Sequence, residues 1–101
     1  MIPALQNFRT YNLAVEFHNA CRPLRLRGSL KDQLIRAAES TVLNLAEGSA
    51  KPTVRDRQRY YAIALASFRE CQAALQLGDQ EELLLRYDHL GACLYKLSRA
   101  N

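Results

Sequence analysis

The sequence has no tryptophan, and only 4 glycines and 3 prolines are spread over its 101 residues. So little punctuation argues against many short strands and turns and predicts a few long elements. Aromatic residues make up 8% of the chain, a content that suits helices packed through Leu and Ala better than a sheet sandwich. No apolar run approaches the roughly 20 residues of a membrane span. No leader pattern follows Met1. The expectation is a soluble cytoplasmic chain with no membrane partner.

Catalytic and ligating chemistry is missing as well. Cys21, Cys71 and Cys93 are odd in number, far apart and without CxxC spacing, so they read as reduced, buried thiols. His18 and His89 stand alone, with no second histidine or carboxylate cluster at ligand spacing. No metal and no cofactor is expected. There is no Gly-rich phosphate loop and no carboxylate pair beside a nucleophile, and Ser40 and Ser67 have no histidine near them in sequence. The chain is not expected to be an enzyme, and no catalytic residue is assigned.

What the chain does contain is 49% apolar residues, enough for one core, so residues 1–101 read as a single domain. The most regular stretch runs from Leu30 to Gly48. There Leu34, Ile35, Ala38, Thr41, Val42 and Leu45 recur at steps of three and four, opposite a polar stripe of Gln33, Arg36, Ser40, Asn44 and Glu47. Ser29 suits its N-cap, Gly48 suits a left-handed terminator and Pro52 bars continuation. Gly48 and Pro52 are both expected outside helices.

Three further helices follow from the same periodicity. One spans about Ala4 to Cys21, with Phe8, Tyr11, Ala14, Val15, His18 and Cys21 inward. Another is capped by Thr53 and runs to Leu77, where Gly78 stops it, with Tyr60, Tyr61, Ala64, Ser67, Phe68, Cys71 and Leu75 inward. The last spans about Gln80 to Ser98, with Leu83, Tyr87, Leu90, Leu94 and Leu97 inward. The prediction is an all-α, up-down-up-down four-helix bundle. Leu34, Ala38, Leu45, Ala64, Phe68, Leu90 and Leu94 should lie in its core.

Leu13, Phe17, Leu84, Leu85 and Tyr95 fall off these stripes, and a second apolar stripe on a short chain predicts self-association through those residues. The formal net charge of +4 is unevenly spread. Arg22, Arg25, Arg27 and Lys31 gather at the first junction, and Lys51, Arg55, Arg57 and Arg59 at the second. In an up-down bundle these junctions lie at opposite ends. The arginines, with Lys51, are candidate contacts to the phosphates of RNA or DNA. No aromatic residue is expected among them, so base stacking should add little. Solvated helix ends on a structural or protein-interaction scaffold are the alternative reading. Glu47 opposes the helix dipole, so a cationic partner is expected for it, with an arginine of another helix or subunit favoured.

The polar residues of the two central helices form a string: Gln33, Arg36, Ala37, Ser40, Asn44, Leu45, Ala46, Glu47 and Gly48, then Tyr60, Ala64, Ser67 and Glu70. This string resembles the bacterial four-helix-bundle family encoded in intervening sequences of 23S ribosomal RNA genes. That family is related in fold to the accessory variability determinants of diversity-generating retroelements. Thr41 and Val42 replace the Ile-Pro pair usual after the serine, which predicts an uninterrupted helix. The resemblance implies a homo-oligomer, commonly a pentamer, with basic surfaces and no enzymatic activity. Arg36, Ser40, Asn44, Glu47, Gly48, Ser67 and Glu70 would be its motif residues. In the retroelement relatives the bundle serves a reverse transcriptase and its RNA, so a reverse transcriptase is a partner the resemblance suggests.

Overall fold

In the computed structural model, which describes residues 2–100, every regular element is helical. A short 3-10 turn, Pro3–Leu5, precedes α1 (Arg9–Cys21), α2 (Gly28–Ser49), α3 (Val54–Leu77), α4 (Glu81–Arg86) and α5 (Asp88–Arg99). The 24 residues of α3 reach about 36 Å at 1.5 Å each, close to the 40 Å long axis of the molecule. Around the core α3 neighbours α2 and α5, and α1 neighbours the same two helices. Thr53 caps α3 as expected, its Oγ1 accepting from the Asp56 N–H at 3.1 Å, an arrangement worth about 1 kcal/mol.

The core holds Leu34, Ala38, Leu45, Ala64, Phe68, Leu90 and Leu94, as the apolar spacing predicts, together with Phe17, Leu75 and Cys71. The apolar spacing places Phe17 on a second, outward stripe. It is instead 1% exposed, with its ring 5.2 Å from Phe68 and 5.2 Å from Tyr87, both edge-on. The inward line of α1 runs through Ala14, Phe17 and Cys21, itself a helical spacing, and leaves Val15 and His18 half-buried at its side. Leu13 and Leu84 are partly buried against the core. Of the five residues expected to be outward, Leu85 (71% exposed) and Tyr95 (49%) are.

Pro52 lies outside the helices as expected, but Gly48 does not. α2 continues to Ser49, and Gly48 is buried inside it. A Cβ there would stand 2.8 Å from Tyr61 Cε1, so the missing side chain admits the Tyr61 ring rather than turning the chain. α2 also starts before Ser29, at Gly28, with Arg27 as its N-cap and no side-chain cap. It runs unbroken through Thr41, whose hydroxyl donates to the Ala37 carbonyl at 2.8 Å.

α3 ends at Leu77, but Gly78 keeps an ordinary φ of −92°, and Asp79 carries the left-handed turn at φ 57°. Gly78 leaves room for Leu26 of the α1–α2 connection, whose Cδ2 would be 2.5 Å from an added Cβ. α1 begins later than expected, because Phe8 is extended and its ring meets Tyr61 edge-on at 6.1 Å. The last helix is two helices. Tyr87, at φ −110° and ψ 15°, separates α4 from α5. The break turns its ring onto Phe17 while its hydroxyl donates to Glu16 Oε2 at 2.8 Å.

Candidate functional site

The motif residues come together along the seam where α2 crosses α3. Ser40 and Ser67 hydroxyls meet at 2.7 Å. Asn44 Nδ2 donates to the Ser40 carbonyl at 2.8 Å and to its hydroxyl at 3.1 Å. One turn along, Arg36, Gln33 and Ala37 share a shallow groove with Ser40 and Glu70. Two small hydroxyl residues let the helices approach while satisfying each other, and this gives the polar string structural work. Glu47 finds a cation, but not an arginine. It pairs with Lys51 just past the end of its own helix, at 3.2 Å. That hydrogen bond is the leading cause of a raised Lys51 pKa.

The thiols give no chemistry to this seam. Burial pushes the Cys21 thiol up to about 12 and raises Cys71 as well, so both stay protonated and unreactive. Cys93 is half-buried on α5. His18 Nε2 is buried without a hydrogen-bond partner and lies 4.0 Å from Glu39 Oε2.

The two basic clusters sit at opposite ends of α3. Leu26, between Arg25 and Arg27, packs on Gly78 beyond the C-terminus of α3, and Arg22, Arg25 and Arg27 are exposed there. Lys31 does different work in this cluster. It is half-buried, and its ammonium donates to the carbonyls of Arg22, at 2.8 Å, and Leu24. The second cluster surrounds the start of α3. Arg55 and Arg59 are exposed, while Arg57 donates to the Lys51 carbonyl at 3.0 Å and so holds the connection. Asp56 lies 3.9 Å from Arg59.

This second end also carries aromatic rings, against expectation. Among the described residues three cations lie over tyrosine rings. Lys51 Nζ is 5.0 Å and the Arg59 guanidinium 5.3 Å from the Tyr60 centroid, and Arg99 is 5.1 Å from Tyr95. Gln58 Nε2 donates to the Ala100 carbonyl, which brings the last turn of α5 to the first turn of α3. All three pairs therefore belong to one end. Tyr60 follows Arg59 directly in sequence, and that adjacency was the available signal. Lys51 reaches the ring only because the loop folds back.

A family model described as 23S rRNA-intervening sequence protein matches residues 8–99. No curated protein and no solved structure matches the chain.

Proposed function

The chain belongs to the 23S rRNA-intervening sequence protein family, and from that premise we propose a non-enzymatic, cytoplasmic four-helix bundle that assembles into a ring of five and binds RNA through its basic ends. The up-down-up-down arrangement is supported by the numbering of the contacts. Ser40 meets Ser67 and Gly48 meets Tyr61. Phe68 lies at Gly91, whereas Gln58 reaches Ala100. Partner numbers fall as residue numbers rise, as antiparallel neighbours require. α4 and α5 together make the fourth member. Of the two residues of the second apolar stripe that stay exposed, Leu85 and Tyr95, Leu85 is the one proposed for contact between copies. No helix among the described residues is long and apolar enough to cross a membrane.

The observation that carries RNA binding is the exposure of Arg22, Arg25 and Arg27 at one end and Arg55 and Arg59 at the other. A ring repeats each cluster in every copy and turns a modest charge per chain into a positive collar. Contacts of this kind release counterions from phosphates, so affinity falls steeply with salt. The test is titration of labelled RNA at two salt concentrations, with light scattering to read the copy number. Arg55→Glu with Arg59→Glu, leaving Arg57 to hold its loop, should weaken binding at least about tenfold at low salt. Binding that ignores both salt and charge reversal would refute the reading. No binding at low salt would favour the scaffold reading, in which Lys51, Arg57 and Lys31 serve only the contacts already described.

A further inference from the structure

We propose that the end bearing Lys51, Arg59 and Tyr60 takes single-stranded RNA in particular, with unpaired bases stacking on the cation–tyrosine pairs Arg59–Tyr60 and Arg99–Tyr95. This rests on the reading of the basic ends as RNA-binding surfaces and adds the form of RNA that one of them selects. The two ends differ in a way that charge alone does not require. Both carry exposed arginines, but all three cation–ring pairs of the described residues are at the second.

A guanidinium held near a ring is planar and weakly hydrated, so a base can stack on it or displace it and stack on the ring. Tyr95 is 49% exposed, and the Arg59 side chain is 65% exposed, so both pairs are open to a ligand. Arg59 pairs with Asp56 at 3.9 Å, but that carboxylate is itself 43% exposed, and a solvated pair of this kind holds the guanidinium only weakly. The Gln58–Ala100 bond joins the two helix ends, so the two pairs lie at the same end of the molecule. In a duplex the base faces are already stacked, and such a surface can then offer only its charge.

The experiment titrates a labelled single strand and the duplex of the same sequence against the wild-type chain, Tyr95→Ala, and Tyr60→Leu combined with Tyr95→Ala. Single-strand affinity should fall about tenfold for each tyrosine removed, with duplex affinity and the salt slope unchanged. Tyr95→Phe and Tyr60→Phe should bind as wild type, because the ring remains. Tyr60 is half-buried beside Gly48, so Tyr95→Ala keeps the test decisive if the double variant does not fold. Equal losses on both RNAs, or no loss on the single strand, would overturn stacking and leave charge-driven binding intact. A changed copy number in Tyr95→Ala would assign that ring to the contact between copies and overturn its role here. A wild-type chain that binds neither RNA would overturn this inference and the reading beneath it together.

Discussion

Where α2 meets α3, the closest approaches are made by what is small. Gly48 lies against the Tyr61 ring, and the Ser40 and Ser67 hydroxyls touch across the seam. On the α1 side the approaches are made by what is large. Phe17 fills the space between Phe68 and Tyr87 with rings 5.2 Å apart, and Tyr87 reaches Glu16 with its hydroxyl. One core is thus sized by two opposite rules. The α2–α3 seam has no room for a larger side chain, and the aromatic side has no substitute for the volume it would lose.

The comparison breaks most easily at Phe17. Phe17→Ala should cost about 3–5 kcal/mol in denaturant unfolding, since a fully buried ring leaves a cavity. A loss under about 1 kcal/mol would show that the α1 face closes over the gap, against the expectation for a close-packed interior. Gly48→Val tests the other rule. With a Cβ only 2.8 Å from the Tyr61 ring, the helices must part, at a cost of about 1–3 kcal/mol. A thermal midpoint unchanged by this substitution would mean that Tyr61 swings away freely. Tyr87→Phe sharpens the contrast with the smallest effect. It keeps the ring and removes a single bond to Glu16, so about 0.5–1.5 kcal/mol should be lost. Burial, and then the Glu16 carboxylate, hold the Tyr87 pKa above its ordinary value, so the hydroxyl remains a donor at neutral pH. A loss as large as that for Phe17→Ala would place the stability of this side in polar bonding instead of volume.

Much of the fold was legible because apolar spacing reports which face of a helix is covered. Leu34, Leu45, Phe68, Leu90 and Leu94 needed nothing more than their steps of three and four. What the pattern missed has specific causes. A glycine before a polar loop carries the same letter whether it turns a chain or admits a neighbouring ring, and Gly48 does the second. Phe17 was lost because α1 has apolar residues around much of its circumference, so the stripe could be drawn about 60° to one side. No proline or glycine marks the break at Tyr87, which is set by where its ring can pack. The polar string was legible as a group, since Ser40, Asn44 and Ser67 do bond together. The Lys51–Tyr60 pair was not, because it depends on a loop returning Lys51 to a ring nine residues away.

The break at Tyr87 has a consequence for how the molecule opens. α4 is 6 residues long, less than two turns and far below the length at which a helix holds itself in water. Its order comes from outside, through buried Leu83 and Tyr87 and half-buried Leu84. Release of those contacts frees the stretch from Glu81 to Arg86 as one unit, while α5 keeps its own hold on α3 through Leu90 and Leu94. The stretch from Glu81 to Arg86 therefore borrows its order from the core it covers.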